Sequence, residues 1–200
     1  ARQWSLDNFG EDLIATVLNG GTFKWDLSAG VGVRAVAIPN APTQSRSNLV
    51  STPDRHLLLF GTQPTIGGVN AQDDLLIRFS NQEDIETYAA TAENTAGSLR
   101  IADGSRIIGA TRSRGAIMVW TDTSLHALQF IGPPFTFGIK ELSKNITIMS
   151  PSSAVAVDDS VFWMGVDTFY MYTGQTQQIP CSVKDKIFLD FNFEERDKVH

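Results

Sequence analysis

An all-β chain is what this sequence predicts, and three observations carry the prediction. Short apolar or alternating runs stand where helical periodicity would be, Gly, Asn, Asp and Pro clusters bound them, and strand pairs return at a near-regular step. The second strands of these pairs read TFKWD, LLIRFS, LHALQFI and FYMYTG, and their starts at Thr22, Leu75, Leu125 and Phe169 are 53, 50 and 44 residues apart. Three or four strands per repeat at that spacing is the rhythm of propeller blades, so the expected architecture is a propeller-like array of three- to four-stranded antiparallel blades, incomplete in this segment. A blade cannot bury both of its faces alone, which obliges neighbouring blades to stack. A β-sandwich with irregular hairpins is the alternative.

The elements follow in order. The first pair is 13–17 with 22–26, and Asn19-Gly20 between them signals a type I′ hairpin, whose two central residues both need positive φ. The second pair is 56–62 with 75–80, across a Gly-rich loop at 63–74. The third, 116–121 with 125–131, turns at Asp122, Thr123 and Ser124, and the fourth, 161–165 with 169–173, turns around Asp167. β-like runs at 48–51, 106–111 and 154–157 precede the last three pairs, and fourth-strand candidates lie at 31–38, 98–101, 139–146 and 175–179. Residues 81–95 are polar and acidic and read as a long decorated loop with room for one helical turn. Ser182 and Asp185 form an S-x-x-D capping box before KIFLDFNFEERDKV. The domain division expected is therefore a propeller-like repeat region of about four blades over 1–181, then a short helix or a connection to a continuing domain over 182–200.

Composition narrows the function classes. A net charge of -6 argues against a general nucleic-acid clamp, because phosphate neutralisation by basic side chains supplies such affinity. The single cysteine, Cys181, excludes an internal disulfide framework and is expected as a small buried hydrophobe. No apolar run approaches the length of a membrane helix, and the opening ARQWSLDNFGED is no signal peptide.

The motifs that carry chemistry are mostly absent. Gly30-Val31-Gly32-Val33-Arg34-Ala35 matches a dinucleotide fingerprint by letter, but strand- and turn-like VAIPNAP follows where a helix would have to open on the pyrophosphate. The histidines His56, His126 and His200 have no partners at metal-ligand spacing, and the first two sit inside strands, where a structural role is expected. Asp73-Asp74 and Asp158-Asp159 fall beside turns, which Asp favours. Two carboxylates facing one cleft, as a glycoside hydrolase needs, cannot be read from sequence. The expectation is no catalytic, cofactor or metal site, hence no enzyme.

The words of the sequence carry a resemblance. WSLDNFGEDLIATVLNGGTFKWD, APTQSRSNLVSTPDRHLLLFGT, DDLLIRFSNQEDIETY, AIMVWTDTSLHALQFIGPPFTFGIKELSKNITIMSP and VFWMGVDTFYMYTGQTQQIPCSVKDKIFLDFN occur in order over nearly the whole chain. It is similar in this to bacteriophage neck and tail virion proteins of the packaged-DNA stabilisation and tail-nozzle group. The resemblance implies a structural virion protein in a ring, six-fold by analogy, that continues the DNA channel and helps retain packaged DNA. Its partners would be its own copies and the portal, adaptor or other tail proteins, with DNA passing but not tightly bound, and no membrane. It offers no catalytic residues, and Trp25, Arg78, Trp120, Phe135, Trp163 and Cys181 would be packing or turn residues. Candidate interface residues are Arg112 and Arg114 at a basic hairpin tip and Glu83, Asp84 and Glu86 in the acidic loop; solvated loops are the plainer reading. Two other classes stay open: a carbohydrate-binding or carbohydrate-cleaving propeller for host recognition, and a cellular interaction propeller.

Overall fold

The computed structural model describes residues 3–52, 54–67 and 71–199. Positions 68–70 of the Gly-rich loop, and His200, lie outside the described residues. The chain forms four four-stranded antiparallel sheets in which the strands run in sequence order, and helices contribute little. It divides into two compact units.

The first unit runs to Ala102 and adds Phe130–Gly138. Its first sheet is β1 (Trp4–Phe9), β2 (Asp12–Val17), β3 (Thr22–Trp25) and β4 (Val36–Ala37). The second is β5 (Ser47–Val50), β6 (Leu57–Thr62), β7 (Asp73–Phe79) and β8 (Gly97–Arg100). In β2 one face holds Ile14 and Thr16, which turn toward the second sheet. Ile14 shares a core with Val50, Leu57, Leu59, Ile38, Ile85 and Tyr88. The run LLLF in β6 does not alternate because both of its faces are covered, and all six residues of the strand are buried. Leu57 and Leu59 meet the first sheet, while Leu58 and Phe60, paired with Phe79 and Ile77, line the other face. There Phe79 packs edge-on against Phe137 at 4.9 Å.

Polar bonds join β5 to β1 and β2 of the first sheet. Ser5 Oγ donates to the Asn48 carbonyl at 3.2 Å, Asn48 Nδ2 donates to Thr16 Oγ1 at 2.7 Å, and the Asp7 carboxylate accepts the Val50 amide at 2.7 Å. Each removes a buried polar group from the unpaired state, which is costly inside a core.

The second unit holds Asp103–Gln129 and the chain from Ile139 on. The third sheet is β9 (Ile107–Ser113), β10 (Ala116–Thr121), β11 (Ser124–Gly132) and β12 (Thr136–Lys144), and the end of its β11–β12 hairpin is the segment counted with the first unit. The fourth is β13 (Ala154–Val157), β14 (Ser160–Met164), β15 (Phe169–Tyr172) and β16 (Thr176–Gln178). Met118, Trp120, Leu125 and Ala127 of the third sheet share a core with Val161, Trp163 and Tyr170 of the fourth. The first members of the second, third and fourth expected pairs, at 56–62, 116–121 and 161–165, supply the second strand of their sheets.

Several local expectations are corrected. Strand β1 was not read from the sequence, since its alternation of Trp, Ser, Leu, Asp, Asn and Phe belongs to an edge strand with one open face. The β2–β3 turn is not type I′: Asn19 has φ 56°, but Gly20 does not enter the positive region, and Leu18 and Gly20 bridge to Ser45 instead. The capping box does not form, because α1 spans Lys184–Asp190 with Val183 at its N-cap and no side-chain cap bond. The 81–95 segment carries no helical turn, and it is no mere decoration, since Ile85 and Tyr88 are buried in the first unit's core. Cys181 is half-buried rather than a core hydrophobe, whereas Phe135, 72% exposed, stands in the β11–β12 turn, one of the two places expected for it. Gly30 to Ala35 opens no helix, as the strand-like residues after it required.

Candidate functional site

One network of histidine and hydroxyl side chains stands near strand ends in each unit. In the first unit His56, fully buried at the start of β6, places Nδ1 2.8 Å from Asp54 Oδ2 and Nε2 3.0 Å from Thr95 Oγ1. Ser51 Oγ donates to the same carboxylate at 2.7 Å. Thr95 Oγ1 donates to Asn81 Oδ1 at 3.0 Å and accepts the Gln82 amide at 2.8 Å. Burial works against the charged Asp54, but the bonds from His56 and Ser51 outweigh it and hold the carboxyl below the usual range. Around the imidazole stand Phe79, Phe130 and Phe137, with ring centres 5.2 to 6.5 Å away. Carboxylate, imidazole and hydroxyl occur in the order of an acyl-transfer relay. Here, however, the imidazole is sealed by phenyl rings and the hydroxyl is already committed to Asn81 and Gln82. The network clasps the 51–56 turn and the 81–95 loop to the sheet.

In the second unit Ser124 Oγ lies 2.8 Å from both Thr121 Oγ1 and His126 Nε2. Burial pushes the His126 imidazole below its ordinary value of 6.5, against the pull of Asp103. A His with a depressed folded value is held neutral by the fold. Its contribution to stability is therefore complete above about pH 6.5 and shrinks as pH falls below that value toward the folded one. The expected result is a decline in urea-unfolding free energy as pH falls through about 6.5, flattened in His126→Gln. An unchanged slope in the variant would assign the decline to other groups.

Beside this network a cleft of about 300 Å³ is lined by Asp122, Asn145, Thr147, Val166, Asp167 and Tyr170, among others. Its carboxylates are partly engaged. Asp122 accepts the Ser105 amide at 2.8 Å and its hydroxyl at 2.5 Å, and these bonds outweigh burial to hold the carboxyl low. The Tyr170 hydroxyl donates to Asp167 at 3.4 Å, and Thr147 Oγ1 donates to the Thr121 carbonyl at 2.9 Å. Tyr170 itself is only 7% exposed and stacks on Trp163, so it offers the cleft an edge and no open ring face. Among the described residues no group of three metal-ligating side chains converges, and no helix is long and apolar enough to cross a membrane.

The interface candidates fall in separate places. Glu83 pairs with Arg55 at 3.1 Å, Asp84 Oδ1 accepts the Glu86 amide at 2.8 Å, and the Glu86 carbonyl accepts from Asn40 at 3.3 Å, all in the first unit. Arg112 lies near the end of β9 and Arg114 in the β9–β10 turn of the second unit, where Arg114 meets Asp159 at 3.4 Å. Both sides of the Glu83 and Arg114 pairs are well exposed, so these contacts add little stability. Sequence reasoning missed a different surface: Trp4 and Leu6 of β1 are 52% and 61% exposed. Their signal was the alternation of large apolar residues with Ser and Asp over 4–9.

No protein-family model and no curated protein matches the sequence. Solved structures do. The CNH domain of AfRom2 aligns with a TM-score of 0.55 at 12% identity, over 94% of this chain and 59% of that one. BamB from Moraxella catarrhalis aligns with a TM-score of 0.49 at 14% identity, over 86% of this chain and 47% of that one. This chain thus spans less than two thirds of either. Likeness at such identity concerns the fold alone, and with four four-stranded antiparallel sheets in chain order it makes this an all-β, propeller-like chain.

Proposed function

We propose that this chain is a structural, non-catalytic module of a bacteriophage virion, part of a homo-oligomeric ring in the tail or neck that continues the DNA channel and helps retain the packaged genome. One observation carries the reading: carboxylates, imidazoles and hydroxyls at strand ends are tied to one another, while sheet faces are left apolar and open. Such a surface suits assembly better than turnover. The ordered likeness of its sequence runs to phage neck and tail proteins supports the place in the particle. Assembly would occur in the host cytoplasm, with portal or adaptor proteins as further partners.

The net charge of -6 fits a wall along which DNA slides, because each phosphate contact would add affinity through counterion release. The expected outcome of a titration with duplex DNA is no tight, salt-sensitive binding. Virion mass spectrometry and particle reconstruction test the placement, and a monomer outside the neck or tail would sink it.

A carbohydrate-binding or carbohydrate-cleaving role for host recognition has one observation in its favour, the cleft with Asp122 and Asp167 beside Tyr170. The edge-on Tyr170 and the engaged Asp122 weigh against it. Turnover of a polysaccharide that Asp167→Asn abolishes would reverse the preference.

A further inference from the structure

The cleft of about 300 Å³ in the second unit lies where three chain segments meet at the ends of the third and fourth sheets. Asp122 stands in the β10–β11 turn, Asn145 and Ile146 follow β12, Val166 and Asp167 belong to the β14–β15 turn, and Tyr170 comes from β15. The segments are pinned from behind. The Ile146 amide donates to the Thr123 carbonyl at 3.2 Å, and the Gly165 amide donates to the Thr168 carbonyl at 2.8 Å. Asp122 is held by the Ser105 amide and hydroxyl and by the Arg106 amide, which still leaves it acceptor capacity, since a carboxylate offers roughly four lone-pair sites. Asp167 is exposed and, among the described residues, accepts only the long bond from Tyr170. Asn145, also exposed, adds an amide oxygen. No lysine, arginine or histidine is among the lining residues, so the two carboxylates line the cleft without a cation beside them.

We propose that this cleft binds an ammonium group on an aliphatic chain, with Asp122, Asp167 and Asn145 accepting its N–H donors and Ile146 and Val166 flanking its methylenes. Three acceptors on three separate segments match the three donors of an ammonium. The planar fork of a guanidinium would instead take two oxygens of one carboxylate. The volume is at the small end of ligand pockets, with room for one side-chain-sized group rather than an oligosaccharide. Carboxylates set between low-dielectric walls concentrate their field on a cation, and segments already fixed by hydrogen bonds lose little freedom when it arrives. The same chemistry has two sources, a lysine side chain of a partner protein and a free polyamine. The binding goes beyond the structural role proposed above and does not depend on a virion.

The experiment is an amide NMR titration of the whole nitrogen-labelled chain at low salt. Cadaverine should shift the amides of residues 122–123, 145–147 and 166–167 saturably, and pentanol, its uncharged counterpart, should not. Asp167→Asn should weaken the binding about tenfold or more, and Asn145→Asp should tighten it about threefold or more. Both are exposed turn positions, and Asp accepts the left-handed backbone at Asn145, φ 56°, nearly as readily as Asn, so melting should match the parent. Glu93→Gln, which removes an exposed carboxylate of the first unit, should leave the affinity unchanged. Acetyl-lysine methylamide shifting the same amides assigns the site to a partner's lysine, and cadaverine alone assigns it to a free polyamine. No saturable shift of these amides by either amine overturns the proposal. So does a loss in Glu93→Gln equal to that in Asp167→Asn, the mark of diffuse attraction to an acidic chain. Binding of a neutral oligosaccharide in the cleft without binding of the amines overturns it too, in favour of the carbohydrate reading. Placement in the virion is read separately from particles, so its failure would leave these outcomes untouched.

Discussion

Replacing Trp120 by alanine is expected to lower the unfolding free energy by about 3–5 kcal/mol, the usual cost of emptying a large aromatic site. Trp120 is fully buried in β10 and meets Trp163 edge-to-face at 5.4 Å, and Trp163 in turn stacks on Tyr170 at 5.4 Å. Alanine would leave a void between the third and fourth sheets that Met118, Leu125 and Val161 are too constrained to fill. Neither the Trp120 nor the Trp163 indole N–H has a hydrogen-bond partner among the described residues. Trp120→Phe therefore keeps most of the packing and removes an unsatisfied donor, and it should cost well under half as much as alanine. Urea denaturation of the two variants measures both. An alanine variant unfolding at the parent's midpoint would show that this cluster is not the unit's core.

Asp54→Ala is expected to cost about 2–4 kcal/mol, because it strands the buried His56 Nδ1 donor and leaves Ser51 Oγ only the longer bond to the His56 carbonyl at 3.4 Å. The carboxylate, 7% exposed, accepts from Ser51 and from His56 Nδ1, and the imidazole has no solvent to turn to. Thr95→Val should cost less, since Thr95 is only half-buried and its partners Asn81 and Gln82 lie nearer the surface. Acid adds a second readout. The folded carboxyl sits below its ordinary value of 3.8, so its contribution is complete above that pH and lost as pH falls through the folded value. Asp54→Asn should remove that part of the acid sensitivity. An alanine variant within about 0.5 kcal/mol of the parent would mean that the network does not hold the turn.

How far the candidate site was legible depends on the range over which each feature is decided. His56 and His126 read as structural residues in the sequence because each falls in a strand-like run without a ligand-spaced neighbour. Their partners were not readable, since Thr95 lies 39 residues from His56 and only folding of the 81–95 loop brings it near. The pairings of the interface candidates were hidden for a related reason. Glu83 and Arg114 look free as letters, but Arg55 and Asp159 come to them through turns the sequence does not localise.

The sequence by itself determined the strands after β1, their pairing into hairpins and their return at a repeated step. These are local properties, set by the two-residue alternation of side chains and by turn residues at fixed offsets. The tertiary structure alone decided which faces are covered. Leu58 and Phe60 in β6 are as apolar as Trp4 and Leu6 in β1, yet the first pair is buried and the second is open. Burial belongs to the neighbour that arrives, and a strand's own residues state only that one is needed. The Asn19-Gly20 turn shows the same limit, because bridges from Leu18 and Gly20 to Ser45, more than twenty residues away, overrode the local preference for a type I′ geometry.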